Sequence, residues 1–222
     1  MTLDGDRLRI PASALDHEGL RRWATSDAFP ESVRVAFVGG EVLLDRSPEE
    51  LETHNKVKLK IASVLSQIVE DESLGEVFAD GVLVTHEQAG LSAEPDLTFV
   101  LWSSFESMRV TLVEKAGRPQ RYVELVGTPD VVVEVVSDSS VRKDTQLLRT
   151  AYLAAGIAEY WIVDARGAEI QFEILHNLGS EFRSSAAANQ PQRSRVFARR
   201  WSLTRALNRA ARFTYRLEAL PL

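Results

Sequence analysis

Two carboxylates stand where an acid is costly unless it has a task. Glu134 lies inside the β-branched run Asp130-Val-Val-Val-Glu-Val-Val136, and Asp96 ends the triplet Glu94-Pro-Asp96 that leads into Leu97-Thr-Phe-Val-Leu101. A run of valines reads as a buried central strand, and an unpaired carboxylate buried there is expensive. Strand alternation puts Asp130, Val132, Glu134 and Val136 on one face. If the two strands are neighbours, Asp96 and Glu134 converge at one end of a sheet. Carboxylates that close repel unless they are protonated or bridged by a cation, and oxygen ligands suit Mg²⁺ or Mn²⁺. An ion pair of Glu134 with an arginine or lysine, and a turn cap by Asp96, satisfy the same pattern without a metal. Asp130 is a second Pro-Asp, but four residues along a strand is about 13 Å from Glu134, too far for one shared ion.

The rest of the chemical inventory is restrictive. Cysteine is absent, which excludes disulfides, thiol catalysis and cysteine-bound zinc or iron–sulfur clusters. His17, His54, His86 and His176 are too scattered for a zinc spacing, and no G-x-S-x-G elbow marks a serine hydrolase. His54 falls on the apolar face of a helix, where a satisfied core or edge histidine is the favoured reading.

The elements that must hold the acids follow from pattern. Leu15 to Ala28 reads as a helix that buries Leu20 and Trp23. Val33–Val38 and Glu41–Leu44 flank Gly39-Gly40 as a hairpin. Ser47-Pro-Glu-Glu50 matches a capping box for a helix with Val57, Ile61, Val64, Leu65 and Ile68 on one face, ending near Gly75. Glu50 and Glu52 suit the helix-start dipole. Strands are expected at Glu76–Phe78, Val82–Thr85 and Leu97–Trp102, followed by an irregular stretch, Ser103 to Gly127, as a lid or partly helical connection. After the valine run, Ser139/Ser140 cap a helix to about Ala155, stopped by Gly156. Glu159–Asp164 is the next strand, which implies a right-handed parallel crossover. Ala168–Leu175 is an antiparallel edge strand, and Ser202 to Arg212 a terminal helix.

The 222 residues carry 26 basic and 32 acidic side chains, a net charge of −6 that is unevenly spread. Residues 181–222 hold nine arginines against Glu181 and Glu218, a balance of +7, while the preceding 180 residues stand at −13. On a helix, Arg205, Arg209, Arg212 and Arg216 would form one basic stripe. Arg199, Arg200, Arg205 and Arg209 are therefore candidates for phosphate binding, with pairing to the acidic body as the equal alternative. No stretch approaches the ~18 apolar residues of a membrane span, and MTLDGDRLRIP lacks a secretory layout. A cytoplasmic protein of one domain, 1–222, is expected.

The order of these features resembles the PD-(D/E)xK nuclease superfamily and, more narrowly, the Uma-two family of restriction-type endonucleases. The matching segments are Gly40-Glu-Val-Leu-Leu44, the helix containing His54, Glu94-Pro-Asp-Leu-Thr-Phe99, Pro129-Asp-Val-Val-Val-Glu-Val-Val-Ser137, Asp144, Tyr152, Ala155-Gly-Ile157 and Glu159-Tyr-Trp-Ile-Val-Asp164. The resemblance spans residues 30–215 and implies an α/β fold: a mixed sheet flanked by helices, a restriction-endonuclease-like core at 30–180, an N-terminal hairpin and a C-terminal helix. It also implies a metal-dependent DNA endonuclease that binds Mg²⁺ or Mn²⁺ through Asp96 and Glu134, with the Val135 carbonyl as a further ligand, and that works as a homodimer. The chain departs from the family pattern at lysine. The E-x-K position is Val136 and the usual helix position is Leu148, which leaves Lys143 as the catalytic candidate. A nuclease fold that has lost catalysis and serves as a nucleic-acid-binding or assembly module is the alternative.

Overall fold

The valine run becomes the buried strand that its composition dictates. In the computed structural model, which describes residues 8–30, 32–187 and 190–222, this strand sits inside one of two six-stranded mixed sheets. Numbered along the chain, the order across the first sheet is β2 (Glu41–Asp45), β1 (Arg34–Val38), β5 (Leu91–Ala93), β4 (Leu83–His86), β8 (Arg118–Gly127) and β7 (Val110–Lys115). The second runs β12 (Phe182–Ser184), β11 (Gln171–Asn177), β10 (Glu159–Asp164), β9 (Val131–Val135), β6 (Leu97–Leu101) and β3 (Gly75–Ala79). A three-stranded sheet, β13 (Gln192–Ser194), β14 (Arg199–Leu207) and β15 (Phe213–Pro221), completes the strands. The helices are α1 (His17–Ala24), α2 (Lys56–Asp71), α3 (Trp102–Glu106) and α4 (Arg149–Ala154).

Alternation along β9 sorts its side chains into two cores. Val131, Val133 and Val135 pack with Val57, Ile61, Leu65 and Val69 of α2 and with Trp201, Leu203, Tyr215 and Leu217 of the small sheet. Val132 faces the other way, onto Tyr152, Ala151 and Leu148 and onto Ala36, Val38, Leu91 and Ala93 of the first sheet. Glu134 shares that second face. The parallel pairing of β9 with β10 and the helix between them are those the sequence predicts.

Several elements differ from expectation, each for a local reason. The long helix opens not at Ser47 but as a π-type turn, Leu51–Asn55, where the Glu50 carboxylate accepts from the Glu52 and Thr53 N–H groups in the manner of a cap. Residues 103–127 form no lid: they are helical only through the end of α3 at Glu106, and Val110–Gly127 is the β7–β8 hairpin, whose alternation is weak because β7 is an edge strand. β11 is antiparallel to β10, but β12 covers it, so it is not the edge. The predicted terminal helix is absent: residues 199–221 are a hairpin paired from Arg199↔Pro221 to Leu207↔Phe213. Its apolar residues read equally well at period two, and Trp201, Leu203, Tyr215 and Leu217 point inward against Trp161 and Phe197. Asn208 caps the turn by accepting from the Ala210 and Arg212 N–H groups.

The small sheet is fastened by a second buried acid. Glu159, at the start of β10, accepts from Trp161 Nε1 (3.0 Å), the Ser194 hydroxyl (2.7 Å) and the Arg195 and Val196 N–H groups (2.5 and 3.1 Å). Four donors make its burial tolerable.

Candidate active site

The antiparallel pairing of β6 with β9, with Leu97 opposite Val133, brings Asp96 beside Glu134. Asp96 is 6% exposed and Glu134 2%, so both acids lie at the bottom of a cleft rather than on a surface. The cleft has a volume of about 620 Å³. Its walls are the β1–β2 hairpin of the first sheet on one side and, on the other, the end of β9 with the segment that follows it. Arg34, Leu43, His54, Glu94, Arg142 and Lys143 line it together with Asp96, Glu134 and Asp144.

Three carboxylates in this cleft share one design. Asp96 Oδ2 accepts from the Val135 N–H at 2.7 Å, Glu134 Oε1 from the Tyr152 hydroxyl at 2.7 Å, and Asp144 Oδ2 from the Ser140 hydroxyl. The second oxygen of each meets an ammonium group instead. Lys143 Nζ is 3.6 Å from Glu134 Oε2 and 2.9 Å from Asp144 Oδ1, which accepts no well-directed hydrogen bond; Lys58 Nζ is 3.5 Å from Asp96 Oδ1. Burial, reinforced by repulsion from Asp144 and Asp96, raises the pKa of Glu134 despite the pull of Lys143. Asp144 is raised chiefly by burial as well. Glu94, pushed up by burial and by Asp80, reaches about 7. For Lys143, burial favours the neutral amine, but Glu134 and Asp144 outweigh it and hold the charge on.

The sequence-derived residues divide accordingly. Asp96, Glu134 and Lys143 share the cleft, and the Lys143 side chain reaches Glu134 from the start of the π-type turn Lys143–Leu148. Val136 and Leu148, the family's usual lysine positions, are buried in the core. Asp130 is occupied elsewhere: it accepts from the Leu101 N–H, the Ser104 hydroxyl and Arg109. His54 is buried, hydrogen-bonded through Nδ1 to Glu49, and its Nε2 is 3.7 Å from Asp96.

The arginines do not form the predicted stripe, because the helix that would align them is a hairpin. Arg199 pairs with Glu72, Arg200 donates to the Pro221 carbonyl, and Arg205 donates to the carbonyls of Ala165, Gly167 and Ala168 while lying over the Phe213 ring. Arg209 is exposed in the turn between β14 and β15.

Lys58 escaped the sequence reading. It is 7% exposed, one helical turn beyond His54, and held by Glu49, Asp80 and Asp96. The available signal was a lysine between Val57 and Ile61 on an otherwise apolar helix face. The place of Glu94 in the cleft and the partnership of Tyr152 with Glu134 were likewise invisible, since each depends on contacts between elements; Ser140, expected as a helix cap, holds Asp144 one turn on.

The donor set fits a hard divalent cation. Among the described residues no group of three or more His, Asp or Glu side chains is gathered closely enough to cage a metal ion. Two oriented carboxylates with the remaining positions left to water suit Mg²⁺, which keeps several waters and binds through one or two carboxylates.

Comparison with known proteins gives this geometry a context. No curated protein matches the chain. Among solved structures, a "putative nuclease belonging to DUF820" from Anabaena variabilis superposes with a TM-score of 0.55 over 74% of this chain and 83% of that one. At 15% identity, that likeness is one of fold. A family model described as "Putative restriction endonuclease" matches residues 18–209, nearly the whole length. The chain therefore belongs to the Uma2 family of restriction-endonuclease-like nucleases.

Proposed function

We propose that the protein is a metal-dependent DNA endonuclease whose ion, Mg²⁺ or Mn²⁺, is held by Asp96 and Glu134 with the Val135 carbonyl. One observation carries the reading: three buried carboxylates at one cleft are each fixed through one oxygen and face a lysine ammonium with the other. The bound ion would acidify a water and offset charge on the phosphate under attack. The chain's own groups do the rest. The Val135 N–H and the Tyr152 hydroxyl set the orientation of Asp96 and Glu134, so neither rotates to meet its ligand. Lys143, kept protonated by its acidic neighbours, supplies a point charge to the non-bridging phosphate oxygens. Arg34 and Arg142 in the cleft walls suit the flanking phosphates.

The burial of Val136 and Leu148 favours a second reading, in which a nuclease fold without its customary lysine binds nucleic acid and leaves it intact. Cleavage of a single-stranded circle and of supercoiled plasmid with Mg²⁺ or Mn²⁺ separates the two. Wild-type protein should cut, and Glu134→Gln or Asp96→Asn should lower the rate by on the order of 100-fold or more. Undiminished cutting by both variants would remove the site. Salt-sensitive binding with no cleavage under any metal would establish the second reading.

A further inference from the structure

The shape of the cleft limits what form of DNA can reach it. About 620 Å³ lies within the ~300–1,000 Å³ of sites that take a small molecule. The acids at its floor expose only 6% and 2% of their surface. Two surface contacts also join its walls. The Ser139 hydroxyl donates to Asp45 Oδ2 at 3.1 Å, and Arg142 lies 3.8 Å from Glu41. Both contacts join β2 to the segment after β9, as two straps between the cleft's walls. The interior is mixed: Leu43 and Leu147 give an apolar flank, while Arg34, Arg142 and Lys143 give cations. That combination matches one strand, with bases against the apolar side chains and phosphates against the cations. A paired helix would have to part the straps before its backbone reached the acids, whereas an unpaired strand enters a recessed pocket at little cost.

We infer that the cleft accepts single-stranded DNA, or a locally unpaired segment, in preference to continuous duplex, and that the Ser139–Asp45 and Arg142–Glu41 contacts set this selectivity. The inference rests on the nuclease reading for its chemistry and on the cleft alone for its geometry. The experiment therefore has two readouts, cleavage with Mn²⁺ and fluorescence anisotropy without added metal. The probes are a short labelled single strand, the matching blunt duplex and a duplex with a central unpaired bubble.

The single strand and the bubble should be cut and bound at least about tenfold better than the duplex. The double variant Glu41→Ala/Asp45→Ala, which removes both strap partners on β2 together with the Asp45 acceptor of the Ser47 N–H, should narrow that gap by improving duplex binding and cutting. Ser47→Trp, a ring placed at an exposed position in the cleft wall, should weaken single-strand binding. Duplex handled as well as single strand by the wild type, or a gap unmoved by the strap variant, would overturn the inference. If no DNA is cut, binding decides: a single-strand preference abolished by Ser47→Trp supports this inference while refuting the nuclease, and no preference refutes both.

Discussion

Tyr152 shows how little of the site's precision resides in the acids themselves. Its hydroxyl, buried with the ring, is the group fixing Glu134 Oε1 at 2.7 Å. Tyr152→Phe keeps the ring that packs edge-on against Tyr160, and so preserves the core while freeing the carboxylate to rotate. Metal affinity measured by calorimetry should fall roughly 10- to 100-fold, as when an outer partner of a ligand is lost. Thermal stability should change little by comparison; an unfolded variant, or unchanged affinity, would rule out an orienting role. Residues of this kind are hard to read from sequence. Glu134 announces itself by standing among valines, and Asp96 by its Pro-Asp step into a strand. Tyr152 is picked out by the family resemblance alone, and nothing in its own spacing shows what it holds until the helix is docked.

At the scale of elements, the sequence speaks clearly where one period dominates. α2 has an apolar face with no competing pattern, and the β9 run is too branched and continuous to be surface. The segment 199–221 is different, because Leu203, Leu207 and Ala210 fit a helical spacing while Trp201, Leu203 and Leu207 alternate as in a strand. What decides is tertiary: the aromatic face of Trp161 and Phe197 rewards alternation. The change of element also changes the work of the arginines. Arg205, read as a phosphate ligand, closes the β10–β11 turn by binding three of its carbonyls. Arg205→Ala should cost about 2 kcal/mol in urea unfolding, since those carbonyls lose a charged donor. The salt dependence of DNA binding should stay as in wild type. A reduced salt slope with unaltered stability would return the residue to the nucleic-acid surface.

At the scale of the molecule, the fold class was accessible and the assembly of its layers was not. Strand–helix–strand order is a local property, and it led correctly to the parallel β9–β10 pair. Division of the strands between two six-stranded sheets depends on pairings such as β4 with β8, which join residues about forty positions apart and leave no short-range trace. The cleft is a product of that division. One wall belongs to each sheet, and so its volume, straps and cations could not be foreseen from either part.

Glu159 carries a consequence for the arginine-rich end. Three of its four donors, the Ser194 hydroxyl and the Arg195 and Val196 amides, come from residues beyond 190. A chain stopped at residue 190 would leave the buried carboxylate with the Trp161 indole as the one remaining hydrogen-bond donor among those four and the His176 ring 3.6 Å away. Such a chain should be insoluble or molten, and Glu159→Gln should restore part of its cooperative melting by removing the stranded charge, which circular dichroism would record. No such rescue would mean that lost apolar cover alone accounts for the failure. On this view the final thirty-odd residues act as a seal over the second six-stranded sheet: the region richest in positive charge owes its place to an acid it never touches with a side-chain cation, and evolution could trim or recharge its surface freely only while that seal stays shut.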